Sequence, residues 1–158
     1  MNIASILVLG GFAAACAMAA STGVAFPPGE WYGQLVKPTW RPPNWIFAPA
    51  WTILYISIAV SGWLVWRDLG FVAAAVPLAV FAVQLALNAA WTPIFFGLHR
   101  PDLAFIEIVL LWSSIVATIA LFYPVNAGAA WLLVPYLGWV TFAAALNLSI
   151  WRLNNALV

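Results

Sequence analysis

Five apolar stretches, separated by short polar breaks, set the pattern of this chain. The first covers residues 3–25 and is rich in Ala and Gly, which lets helices pack closely in lipid. Residues 26–42 are different in kind. They carry Pro27, Pro28, Pro38 and Pro42, the charged Glu30, Lys37 and Arg41, and the indoles Trp31 and Trp40. That segment is too polar and too interrupted to span, so it is expected at the surface. A second apolar stretch, residues 43–66, stops at Arg67-Asp68-Leu69-Gly70. A third, residues 71–97, stops at His99-Arg100-Pro101-Asp102. Residues 102–123 form the fourth, 124–128 a short turn, and 129–153 the fifth. Each stretch reaches the roughly 20 residues that cross a hydrocarbon core of about 30 Å. The pattern therefore predicts an all-α membrane protein: one domain over residues 1–158, a five-transmembrane-helix bundle with a long first loop as a cap. The loops after helices two, three and four are short, so consecutive helices should be antiparallel neighbours.

Composition sharpens this reading. Of 158 residues, 66% are hydrophobic and 6% charged, against about 25% charged in a soluble domain. A net charge of +1 offers no basic field for nucleic acid. Cys16 is the only cysteine and His99 the only histidine, which excludes an intrachain disulfide and any Cys- or His-rich metal site. No Lys or Arg precedes Lys37, so residues 3–25 lack the positive n-region of a signal peptide and are expected to remain as the first helix. Orientation follows from the cations. Arg67 stands alone on one face, while Lys37, Arg41, Arg100 and Arg152 share the other. The cap and C-terminus are thus expected in the cytoplasm and the N-terminus outside. Trp45 and Trp151 on the basic face, and Trp63, Trp66 and Trp131 on the other, suit interfacial belts.

The third stretch has two opposite faces at about 100° per residue. Ala75, Ala79, Ala82, Ala86 and Ala90 form one stripe, a small-residue surface suited either to a homodimer seam or to another helix of the same chain. Gln84, Asn88, Trp91 and Phe95 form the other. Its amides need partners and should face an interior. Counted inward from the basic face, Trp51 and Tyr55, Gln84 and Asn88, and Trp139 and Ala143 reach similar depths on three helices. Tyr136, Trp139, Ala143 and Asn147 share one face of the fifth. Taken singly, each of these side chains suits tight packing as well as ligand contact. Together they have the make-up of a ligand pocket, apolar and aromatic with a few polar groups. Glu107 lies about one and a half turns into the fourth helix, on one face with Ser114 and Thr118. An ionisable residue at that depth is a functional candidate by default, but near the interface it is expected to hydrate or to pair with Arg100 or His99. Pro49, Pro93 and Pro135 should kink or open their helices. Sets for hydrolytic, phosphoryl or metal chemistry are lacking.

The run Lys37-Pro38-Thr39-Trp40-Arg41-Pro42-Pro43-Asn44-Trp45, followed by Phe47, Pro49, Trp51, Leu54 and Tyr55, resembles the signature of the translocator protein family, also called tryptophan-rich sensory proteins. The stretch WLVWRDLG from Trp63 to Gly70 is similar to the end of that family's second helix. Gln84, Asn88, Trp91, Pro93 and Gly97 resemble its third. Pro135-Tyr136-Leu137-Gly138-Trp139, Phe142, Ala143, Leu146-Asn147 and Trp151-Arg152 resemble its fifth. The resemblance covers nearly the whole chain. It implies a five-helix bundle, often dimeric, whose first loop folds over a pocket for porphyrins such as protoporphyrin IX, isoquinoline carboxamides and benzodiazepines, with sterol also attributed to it. It also implies a bacterial cell membrane, since a eukaryotic-style N-terminal extension is missing. Some bacterial members promote light-dependent degradation of protoporphyrin IX, attributed to pocket tryptophans. Trp51 and Trp139 match those positions and are the catalytic candidates. Tyr55, Asn88 and Ala143 match ligand-contacting positions, and Trp40 and Trp45 the loop beside them.

One departure is Leu148, where the family's proposed sterol motif has tyrosine; Arg152 of that motif remains. The functional expectations are, in order, a receptor or sensor for tetrapyrroles, a light- and oxygen-dependent porphyrin-degrading enzyme, and a tetrapyrrole or sterol transporter. None needs a resident cofactor; the porphyrin is ligand. For the first, Gln84, Trp91 and Asn147 join the ligand-binding set, and Lys37 or Arg41 could meet a propionate.

Overall fold

A computed structural model describes residues 2–155. Among these residues there are seven α-helices, six of which build the five spans: α1 (Ile3–Ala25), α2 (Glu30–Gln34), α3 (Phe47–Ala73), α4 (Ala75–Thr92), α5 (Pro101–Phe122), α6 (Ala127–Leu132) and α7 (Val134–Leu153). The spans are α1; α3 with the 3₁₀ turn Asn44–Ile46 before it; α4 with the π turn Pro93–Gly97 after it; α5; and α6 with α7. The short α2 lies in the cap.

Helix ends follow local chemistry. The Asn2 carboxamide oxygen accepts from the Ser5 N–H at 2.9 Å, and that of Asn126 accepts from Ala129 at 2.9 Å. Each satisfies one of the N–H groups that a helix start leaves without a partner. The second span runs through Arg67-Asp68-Leu69 rather than stopping there. The chain turns instead at Gly70, with φ 73° and ψ 174°, a conformation open essentially to glycine alone. Pro93 can neither donate nor let the carbonyl four residues back approach, so the regular ladder of α4 ends before it, and the turn that follows is wide. The Leu98 N–H bonds the Pro93 carbonyl at 2.9 Å. Pro135 acts similarly on the fifth span, which breaks at Leu133. Pro49 does not kink its helix, because it stands in the first turn of α3, where the N–H groups lack intrahelical partners anyway.

The spans close into a ring. α1 packs on α3 and α4, α4 on α5, α5 on α6 and α7, and α6 on α3. Sequential neighbours are therefore in contact as expected, but α3 and α4 are less extensively packed. α1 wedges between them: Phe12 meets Phe81 edge-on at 5.6 Å and sits over Gly62. The core beneath is Ile58, Val65, Ile115, Phe122, Leu133 and Tyr136, each 1% exposed or less. Large apolar side chains such as Ile53, Ile56, Val72, Ile106 and Leu110 point outward. An outer surface of this kind suits lipid as solvent. The chain is a multi-pass integral membrane protein.

Candidate functional site

The proline-rich segment is a docked cap. Leu35 is buried, and Trp31 and Tyr32 stand edge-on to Phe95. Trp31 also stacks on His99 at 4.4 Å. Below Phe95, Trp91 stacks on it at 4.9 Å, so the aromatic half of the Gln84 stripe carries the cap. At its far end the cap is held by Asn154. The Val36 N–H donates to the Asn154 carbonyl oxygen, and the Asn154 amide donates to the Val36 carbonyl, both at 2.9 Å. The Lys37 ammonium donates to the Leu35 carbonyl at 2.9 Å and lies 4.6 Å from the Tyr32 ring centre. Burial first, and then the nearby Arg41, holds Lys37 below the usual lysine range. Arg41 donates to the Asn44 side chain at 2.8 Å.

Beneath the cap, α3 and α7 face one another, but their backbones come close at only a few positions. Rings fill the space between. Trp51 lies 5.3 Å from Tyr55 and 6.2 Å from Tyr136; Trp139 lies 5.6 Å from both Phe47 and Phe142; Trp40 of the cap meets Phe142 at 5.7 Å. Trp51, Tyr55, Trp139, Phe142 and Ala143 are all half-buried. Asn88 projects between the two tyrosines. Its carbonyl oxygen accepts from the Tyr55 hydroxyl at 2.6 Å and its amide donates to the Tyr136 hydroxyl at 2.8 Å. Three helices are thus tied at one depth by a neutral chain that keeps an amide N–H to spare.

The other candidates occupy different surroundings. The Trp91 indole donates to the Asn147 carbonyl oxygen at 3.1 Å, and the Asn147 amide donates to the Pro101 carbonyl at 2.7 Å. Their polar atoms clamp α4, α5 and α7 together. Trp45 is 72% exposed and faces outward. Gln84 is buried with neither amide atom hydrogen-bonded by the protein. Among the described residues no cation pairs with Glu107: His99 stacks on Trp31, and Arg100 holds Asp102 instead, at 2.8 Å through Nε. That bond, with the charge behind it, raises Arg100 above the usual arginine range. Ala75, Ala79, Ala82 and Ala86 are exposed on the outer side of α4, away from the rest of the chain, and Ala90 is half-buried. Phe47 and Phe142, quoted above only as part of the family resemblance, also line the site, and Asn154 secures its cap. The two phenylalanines could have been found from their spacing to Trp51 and Trp139, whereas no local signal marks Asn154.

Comparison with known proteins agrees with this architecture. The TspO/MBR family description matches residues 3–152. Protein CrtK of Rhodobacter capsulatus is 50% identical over 145 residues, 89% of this chain and 88% of its own. Translocator protein of Homo sapiens is 41% identical over 150 residues, covering 92% and 89%. Tryptophan-rich sensory protein of Cereibacter sphaeroides is 42% identical over 143 residues, covering 90% and 89%.

Proposed function

The chain belongs to the TspO/MBR family, and on that premise we propose that it is a membrane receptor for a flat tetrapyrrole, protoporphyrin IX first, held between α3, α4 and α7 under the cap. The observation that carries this reading is the pair Trp51 and Trp139. They are half-buried indoles on facing helices whose separation is filled by rings rather than by close backbone contact. A planar guest replaces ring-on-ring contacts with contacts of the same kind, so little is lost when the side chains move aside. The spare N–H of Asn88 would meet an acceptor on the macrocycle. Arg41 is better placed than Lys37 to reach a propionate, since Lys37 is engaged by backbone carbonyls. The excess of cations on the cap side supports an orientation with cap and C-terminus cytoplasmic. Titration of protoporphyrin IX into the protein in nanodiscs, followed by tryptophan fluorescence, tests the site. The double variant Trp51→Phe/Trp139→Phe is expected to bind about tenfold more weakly, a loss of about 1.4 kcal/mol. Unchanged affinity would place the ligand elsewhere.

Light-driven degradation of the bound porphyrin, with oxygen as oxidant, is the second reading. It is favoured by the ring contacts of Trp51 with Tyr55 and Tyr136, which could share a radical cation formed on the indole. Bleaching under illumination faster than that of free porphyrin in detergent, and lost in the same double variant, is the expected outcome.

A further inference from the structure

Among the described residues, two side chains inside the bundle have every polar atom without a protein hydrogen bond: Gln84 on α4, 1% exposed, and Glu107 on α5, 7% exposed. They lie on the most extensively packed pair of helices in the chain. Native proteins rarely leave buried polar atoms unmatched, and polar groups in a bundle that no side chain satisfies are commonly met by internal water. Lipid-facing placement does not explain them, because both point inward.

Glu107 is the more informative of the two. Among the helices packed against α5, α4 and α6 carry no titratable side chain, and α7 carries Tyr136 and Arg152. Tyr136 is a phenol already held by the Asn88 amide at 2.8 Å. Arg152 is exposed at the end of α7. On α5 itself, Asp102 is held by Arg100. No cation therefore meets the Glu107 carboxyl inside the bundle, and an ionised carboxylate without a partner is strongly disfavoured there. A protonated carboxyl is a donor and an acceptor at once, which suits a water-linked chain.

Depth gives the direction of access. At about 1.5 Å per residue, Glu107 lies roughly 9 Å inward of Pro101, and Gln84 roughly 20 Å inward of Gly97. The Asn88 amide lies between these levels on α4, and the bonded polar groups Trp91, Asn147 and the Pro101 carbonyl stand at the outer end. The polar positions thus run as a file from the basic face toward the middle of the bilayer, beside the aromatic site. We propose that Glu107 is held protonated within the bilayer and that internal water, entering from the basic face, solvates it and reaches Gln84. The site takes water and a proton. It does not depend on which ligand the aromatic site holds, and it is tested without one.

Infrared spectroscopy of the full chain in a carbonyl-free detergent at neutral pH reads the first half. The sequence has four acidic side chains. Asp68 and Asp102 are paired with arginines and Glu30 is exposed, so a protonated-carboxyl stretch belongs to Glu107. The band is expected in the wild type, shifted within minutes of transfer to D₂O, and absent from Glu107→Gln. No band means an ionised group, and a band that does not shift means a dry one; either overturns the proposal. The wild-type measurement decides even if the variant folds poorly. For the second half, Gln84→Cys in a Cys16→Ser background is expected to react with a small charged methanethiosulfonate at least tenfold faster than Ile115→Cys in the dry core. Equal rates would overturn the reach to Gln84.

Discussion

Asn154 holds Val36 by both its backbone N–H and its carbonyl, joining the end of the last helix to the cap across 118 residues of chain. A carboxamide is the side chain that can match a peptide unit on donor and acceptor together. The same amide also donates to the Ile150 carbonyl at 2.8 Å, a third bond that anchors its rotamer to the helix.

Asn154→Ala is expected to loosen the cap while leaving the spans intact. Two cap hydrogen bonds at about 1 kcal/mol each correspond to roughly tenfold or greater acceleration of amide exchange. Hydrogen exchange read by mass spectrometry should show the change over residues 26–42, with α4 and α5 unaltered. Asn154→Asp keeps the acceptor but loses the donor, and should fall between.

Two glycines are expected to resist alanine for different reasons. At Gly70 no atom stands where the Cβ would go, yet φ is 73°, so Gly70→Ala should lower stability by about 1–3 kcal/mol through backbone strain alone. At Gly62 the added carbon would lie 2.7 Å from the Phe12 ring, and the cost, again about 1–3 kcal/mol, comes from overpacking. Thermal unfolding separates the two causes. Phe12→Leu should recover much of the loss in Gly62→Ala and none of it in Gly70→Ala.

The contrast between these glycines shows what was legible in the chain. The five spans could be read because lipid demands about 20 apolar residues per crossing, which leaves little freedom. The inward face of α4 could be read because Gln84, Asn88 and Trp91 recur at helical spacing and amides avoid lipid. Span ends were less legible. A charged triplet such as Arg67-Asp68-Leu69 sits comfortably in a helix at the interface, and only Gly70 has the conformation that ends it. Partners were the least legible. Asp102, two residues from Arg100, is a rival to Glu107 that the sequence does show, but nothing near Asn88 indicates that Tyr55 and Tyr136 would take both sides of its amide. Pairings of that kind arise from the ring order of helices, which a hydropathy pattern does not contain.

The Tyr55–Asn88–Tyr136 chain sets an order among variants. Tyr55→Phe removes one hydrogen bond and leaves the Asn88 carbonyl oxygen unmatched. Asn88→Leu removes two bonds and leaves two hydroxyls unmatched, one of them on Tyr136, which is fully buried. Interhelical hydrogen bonds in membrane proteins average about 0.6 kcal/mol and reach about 1.7. Asn88→Leu should therefore destabilise by roughly 1–3 kcal/mol, and Tyr55→Phe by about half as much, in unfolding titrations. A double-mutant cycle between positions 55 and 88 should give a coupling near the value of one such bond. Additive losses would mean that the short Tyr55–Asn88 distance contributes nothing net.

The outer side of α4 leads to the last expectation. Ala75, Ala79, Ala82 and Ala86 are exposed, with Val76 and Val83 flanking them, so no helix among the described residues covers the stripe. Small side chains let a second backbone approach closely, and the gain in lipid comes from packing rather than from removing apolar surface from water. A two-fold axis through the stripe would bring each alanine near its own copy, because the same patch serves both subunits. In a Cys16→Ser background, single cysteines at Ala79, Ala82 and Ala86 are then expected to form disulfide-linked dimers under mild oxidation in membranes. Cysteines at Ile53 and Ile106, which lie on other outward faces, should remain monomeric. Cross-linking at these control positions as readily as along the stripe would mean collision rather than assembly. Its absence along the stripe would mean that α4 presents its alanines to lipid.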